Sequence, residues 1–229
     1  MKRFYKNAEA VPAAGGVAIL LDGRSVKTPG REALKVPTEE LAEAIAAEWN
    51  DQGEDIDPRS MPLTGLANAA IDRVTPDPAA FARNLAAYGE SDLLCYRAEG
   101  PRPLAERQAA QWDVLLDWAR KRFAIEFETV CGVMHRSQPP ATVNQLAAAV
   151  AARDPFRLAG LSPLVTVSGS LVIALALAEG AISLEDGWAA ATLDETWQAE
   201  QWGEDPLAAA GIAARRHDFD AAYRFLTLL

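Results

Sequence analysis

The sequence predicts an α+β protein in which a small N-terminal β-rich domain, residues 1–76, precedes a mostly α-helical bundle domain, residues 77–229. Three observations carry this. Two short β-type runs flank Asp22-Gly23 near the start. Almost every segment after Ser91 repeats its apolar residues at the helical period. Pro76 and Pro78 mark a linker between the two regions.

Val17 to Leu21 and Arg24 to Lys27 are predicted strands, because Asp-Gly suits a two-residue hairpin in which both central residues need positive φ. Pro29-Gly30 predicts a further turn, and Ala33 to Val36 a third short strand. Thr38 reads as an N-cap, with Glu39 and Glu40 placed where the helix dipole favours negative charge. Leu41, Ile45, Glu48 and Trp49 share one face of that helix, so Trp49 is assigned a structural, core-facing role. Asn50 to Pro58 is acidic, but its Gly lies at the wrong offset for a calcium loop and no closing Glu follows, so it reads as a solvated turn. Helices are predicted over Met61 to Val74 and Ala79 to Tyr88. Others follow around Trp112 to Phe123 and over Ala141 to Ala152, Leu164 to Ala178, Leu184 to Trp202 and Pro206 to Phe225. Phe127 to Met134 can supply one short β segment.

Half of the 229 residues are hydrophobic, enough for a sizeable core. The formal net charge of −10 repels nucleic-acid phosphates and anionic membranes, so neither is an expected partner. Cys95 and Cys131 are the only cysteines and form no CxxC, which implies neither a disulfide framework nor a cysteine metal site and fits a reducing cytosol. Leu161 to Ala178 is the most apolar run. Polar residues interrupt its first half, and Leu171 to Ala178 is far short of the ~20 residues a bilayer span needs, so a buried helix is expected and no membrane insertion.

The stretch Leu193 to Asp205, LDETWQAEQWGED, concentrates tryptophans and carboxylates before a helix stop at Gly203 and Pro206. At about 100° per residue, Trp188, Ala191, Glu195, Ala199 and Trp202 fall on one stripe, with Leu193, Trp197 and Ala190 on the opposite side. A carboxylate centred on an apolar stripe has two physical explanations. It is either a core Glu, protonated or paired with an Arg, or the specifying charge of a docking patch ringed by aromatic anchors.

Chemistry-bearing motifs are absent elsewhere. His135 and His217 lie far apart and outside any metal-ligand spacing. Ser168 and Ser170 belong to VSGS, which is not a nucleophile elbow, and no phosphate-binding glycine loop occurs. Glu195 and Glu200, five apart on a helix, point about 140° away from each other and cannot readily share a substrate. A small cytosolic enzyme using Glu195 in a cleft is the alternative to a binding module.

Several segments together resemble the assembly chaperones that handle the alpha subunit of the F-type ATP synthase catalytic head. They are RFYK at Arg3 to Lys6, the hairpin from Asp22 to Pro29, the helix end at Trp49, MPLTGLANAAID from Met61 to Asp72, SDLLCYRA from Ser91 to Ala98, and Glu195, Gln198, Trp202 and Gly203 in order. The resemblance implies a non-catalytic protein that holds newly made alpha subunit, covers its beta-facing surface and releases it when beta arrives, with neither cofactor nor metal. It favours the docking reading of Glu195 and places Gln198, Trp202, Gly203 and Trp188 with it as partner-binding residues. The protein is expected to be a monomer when free. Relatives in the mitochondrial matrix carry a transit peptide, whereas RFYK comes almost at once here, so a bacterial cytoplasmic version is expected.

Overall fold

The structure, a computed structural model, describes residues 1–229 and has the α+β architecture expected. The chain forms two compact units. One comprises Met1–Pro78 with Asp154–Gly160 and Arg224–Leu229, and the other Ala79–Arg153 with Leu161–Tyr223. The first thus takes in two short segments remote in sequence, which no composition shift announces.

In the first unit β2 (Gly16–Leu21) is the central strand. It pairs antiparallel with β1 (Ala8–Ala13) from Ala8↔Leu21 to Ala13↔Gly16, with β3 (Arg24–Ser25), and with β4 (Lys35–Val36) at Val17↔Val36. Asp22 and Gly23 connect β2 to β3 with φ of 48° and 77°, the two positive values that a type I′ turn requires. The Asp22 carboxylate accepts from the Lys6 and Asn7 amides, which hold it below the usual carboxylate range. Strand β1 was not expected. Its Ala-rich, Pro-containing sequence has weak β propensity, and Pro12 is tolerated because β1 lies at the sheet edge.

Helix α1 (Glu39–Asn50) is capped at Thr38, whose hydroxyl accepts from the Leu41 amide at 3.4 Å. It buries Leu41, Ala42, Ile45 and Ala46 in a core shared with Ile19, Leu34 and Val36. Glu48, on the same face as Leu41 and Ile45, instead caps α2 (Pro62–Ala69). Its carboxylate accepts from the Leu63 amide at 2.7 Å, the Thr64 amide at 2.8 Å and the Thr64 hydroxyl at 2.7 Å. Burial raises the Glu48 pKa against the pull of those bonds. Trp49 is half-buried, with its ring 5.6 Å from that of Tyr5, whose hydroxyl donates to the Trp49 carbonyl at 2.6 Å. The predicted helix over Met61 to Val74 is α2 continued by a π turn over Ala70–Val74. Asp72 of that turn accepts from the Thr28 hydroxyl at 2.6 Å and the Gly30 amide at 2.7 Å, tying down the turn after the hairpin.

In the second unit, α3 (Pro78–Ala86) leads to β5 (Tyr96–Arg97), which runs parallel to β6 (Val130–Cys131). Between these strands lies α4 (Arg102–Phe123), whose Trp112 is buried and donates its indole N–H to the Ala190 carbonyl at 3.0 Å. Strand β6 falls inside the segment predicted to be β, but β5 is too short to leave a period.

Helices α5 (Pro140–Ala151), α6 (Pro155–Ser168), whose residues up to Gly160 belong to the first unit, and α7 (Leu171–Ala178) follow. The single helix expected over Leu164 to Ala178 is two. A turn at Gly169 breaks it, and Ser170 caps α7 by accepting from the Ile173 amide at 3.0 Å. Every residue of α7 from Leu171 to Leu177 is buried, as an all-apolar helix requires. No helix is long and apolar enough to cross a membrane. Asp92, fully buried, accepts from the Leu94 amide at 3.1 Å and, at the start of α7, from the Val172 amide at 3.0 Å. Burial pushes its pKa up to about 6 even though these bonds favour the charged form.

Candidate functional site

The last three helices of the chain are α8 (Leu184–Ala191), α9 (Leu193–Trp202) and α10 (Pro206–Thr227), of which all but the last four residues of α10 belong to the second unit. Helix α8 begins at Ser183, whose hydroxyl accepts from the Asp186 amide at 3.1 Å. The continuous helix expected over Leu184 to Trp202 is interrupted at Thr192, where φ is −114° and ψ 19°. The Thr192 hydroxyl bonds back to the Trp188 carbonyl at 2.9 Å, an alternative that Thr side chains offer to a regular helix. The stripe from Trp188 to Trp202 therefore cannot be read as one face of one helix. Of the three residues placed on the opposite side, Leu193 and Ala190 are buried, while Trp197 is only half-buried, with the Arg107 guanidinium 6.0 Å from its ring centre; Leu193 anchors the first turn of α9 in the core.

Helix α9 stops at Gly203, whose φ of 86° is cheap only for glycine, and whose amide donates to the Ala199 carbonyl at 2.9 Å. Two residues on, the Asp205 carboxylate accepts from the Leu207 amide at 3.0 Å and starts α10 with Pro206 in its first turn. A helical hairpin results, and between its arms lies an open groove of about 710 Å³. All five sequence-predicted partner-binding residues, Trp188, Glu195, Gln198, Trp202 and Gly203, line it. The structure thus brings them together, although by a bent pair of helices and a returning third rather than by one stripe.

The opposite wall comes from α10. Ala208, Ala209, Ile212 and Ala213 face the groove, and sequence reasoning singled out none of them. Their signal was available as one alanine-rich turn after another, but only the tertiary return of the chain makes it a wall. Two large apolar side chains at the hairpin tip stand in solvent: Trp202 is 78 % exposed and Leu207 85 %. What sets Trp202 apart from other exposed apolar residues such as Val133 and Met134 is that it lines the groove, where an aromatic side chain can act as a binding anchor.

The electrostatics are settled by who pairs with whom. Arg215 donates to Glu195 Oε1 at 3.0 Å, and both side chains are 39 % exposed. Glu195 is therefore neither a buried core carboxylate nor a bare surface charge. Arg216, the cation on the groove wall, is held by Glu185, whose carboxylate it grips with two N–H groups, and by Asp220 at 2.6 Å. These two partners raise the Arg216 pKa further above an already high value, and Arg216 in turn lowers that of Glu185. The Arg216 guanidinium also lies 5.4 Å from the Trp188 ring centre, and Trp188 packs against buried Phe219 with ring centres 5.4 Å apart.

Glu200 points elsewhere. Arg107 of α4 binds it through two N–H groups at 2.6 and 2.9 Å and lowers its pKa. Beside it, the buried Gln108 donates to Asp194 at 2.8 Å, so α4 fixes the register of α9 from behind the groove. Glu195 and Glu200 belong to different ion pairs, consistent with their angular separation. The lining contains no histidine, cysteine, serine or lysine. No group of three or more His, Cys, Asp or Glu side chains is arranged to hold a metal ion. His135 is exposed beside the Tyr96 hydroxyl at 3.2 Å, and His217 is also exposed.

Comparison with known proteins adds to this geometry. Residues 2–120 match the model of the family described as ATP12 chaperone protein. The chain is similar to Protein atp12, mitochondrial, of Schizosaccharomyces pombe, with 25 % identity over 214 residues, 88 % of this chain and 74 % of that protein. It superposes on the crystal structure of Atp12 from Paracoccus denitrificans with a TM-score of 0.95 and 43 % identity, covering 99 % of this chain and 97 % of that one. The Atu1473 protein of Agrobacterium tumefaciens also gives a TM-score of 0.95, with 41 % identity over 99 % of this chain and 85 % of that one.

Proposed function

The chain belongs to the ATP12 chaperone family, and from that premise we propose that it is an assembly chaperone for the F-type ATP synthase. In this reading it binds the unassembled alpha subunit of the catalytic head, shields the surface destined for beta, and gives alpha up when beta arrives. It works in a bacterial cytoplasm, as a monomer when free, with neither nucleotide nor metal.

The observation that supports this best is the open groove in which the half-exposed Glu195 and the exposed Trp202 stand together. Aromatic anchors around one specifying charge are the usual makeup of a binding hot spot. A role in catalysis has less behind it. The groove lacks a histidine, cysteine, serine or lysine to act beside Glu195, and Glu200 is engaged by Arg107.

The test is to mix the purified chain with purified alpha subunit in the presence of chelator and without nucleotide, and to follow both by gel filtration. A stable stoichiometric complex, dissolved on adding beta subunit, is expected. Alpha eluting alone, or aggregating at its unassisted rate, would overturn the proposal.

A further inference from the structure

We infer that the groove between α9 and α10 receives one amphipathic helix of the client, which buries an aliphatic face in the groove and sets a Lys or Arg against Glu195 and Glu204 at its mouth. The inference rests on the chaperone reading above and specifies what that site recognises.

The walls decide the secondary structure of the occupant. Both are helices, and no strand edge lies among the lining residues, so an extended segment would find no backbone ladder to join. Its amides and carbonyls would lose water without gaining partners. A helix meets its own backbone hydrogen bonds and can bury one face without that cost. The α10 wall suits such a guest. Ala208, Ala209 and Ala213 are small, so a second helix can approach closely, with Ile212 and the Trp202 ring providing apolar contact.

The charge of the occupant follows from a local imbalance. Glu195, Glu204 and Asp205 line the groove against one cation, Arg216, which Glu185 and Asp220 already neutralise. Arg215 bonds one oxygen of Glu195 and leaves the other without a protein partner, and the exposed Glu204 has none. An acidic or neutral segment would leave these carboxylates facing apolar contact uncompensated, whereas a cation on the guest helix satisfies them. A second copy of this chain is disfavoured for the same reason, since the whole protein carries a net charge of −10.

The experiment places the photoreactive p-benzoylphenylalanine at Ala208 of the full chain, irradiates it with purified alpha subunit, and maps crosslinks by mass spectrometry. Crosslinks confined to one helix with aliphatic residues at i, i+3 or i+4 and i+7 and a Lys or Arg beside them are expected. Ile212→Asp and Glu204→Gln, both at solvent-accessible positions and checked by circular dichroism, should reduce alpha binding at least tenfold and several-fold respectively. The Glu204→Gln loss should shrink as salt rises. Alpha that binds but crosslinks through an extended or acidic segment, or a chain that crosslinks mainly to its own copies, overturns this inference and leaves the chaperone reading standing. Native mass spectra with a small molecule retained in the groove overturn it too. Failure of alpha to bind the unmodified chain overturns both.

Discussion

Asp92→Asn should abolish one well-defined part of the pH dependence of stability. The Asp92 carboxylate is fully buried and holds the Leu94 amide to the start of α7 through the Val172 amide. Burial raises its pKa from 3.8 in the unfolded chain to about 6 in the native state. Between these values the native state binds more protons than the unfolded one, so stability falls as pH rises. The contribution is fully present below the unfolded pKa and lost once pH has passed through the native one. Some two pKa units correspond to about 3 kcal/mol, of which about 2 kcal/mol is lost between about pH 4.5 and about pH 7.5. Asn keeps the shape and one acceptor but cannot titrate. Urea unfolding of wild type and Asp92→Asn, followed by circular dichroism at several pH values, gives the difference curve, in which all other titrating groups cancel. The variant should gain about 2 kcal/mol on wild type across that interval. A flat difference curve, or one of opposite sign, would refute the argument that burial outweighs the hydrogen bonds at this site.

Trp49→Arg should destabilise the protein by several kcal/mol, because a cation would replace a ring packed on Tyr5 and the surrounding core. Unchanged melting with lost client binding would make Trp49 an interface residue instead. Calorimetry with ATP and magnesium should be silent at millimolar concentration, since the sequence holds no phosphate-binding loop, and a saturable heat would refute this.

Much of the fold was legible where local chemistry is decisive. Asp22-Gly23 specifies its turn, Thr38 its cap, and Gly203 with Pro206 the end of α9. Elements were missed where tertiary context overrides propensity. Strand β1 exists because β2 offers a full-length partner, not because AEAVPA favours extension. The break at Gly169 had a signal, since Ser168-Gly169-Ser170 interrupts the apolar run and Ser170 is a ready N-cap, whereas at Thr192 the apolar period runs on across the break and periodicity alone joins what the backbone divides. The candidate site was half visible. Its α8 and α9 residues stood out as a stripe of Trp and Glu, while the α10 wall is a run of alanines with no chemical mark. Asp92 lay within a motif that the resemblance used, yet its burial depends on α7, some 80 residues later.

The central claim, that the α9–α10 groove docks the client, is tested most directly by Glu195→Lys, with melting and alpha-subunit capture measured on the same sample. The Glu195–Arg215 pair is half-exposed, so its loss should cost no more than about 1 kcal/mol and lower the melting temperature by only about 2–4 °C. Capture should nonetheless collapse. Reversing the charge removes one contact and opposes the client's cation, a change of roughly 2–5 kcal/mol, and at about 3 kcal/mol affinity falls more than a hundredfold. Capture equal to wild type would contradict the account, and so would a variant that melts many degrees early, which would make Glu195 a structural residue.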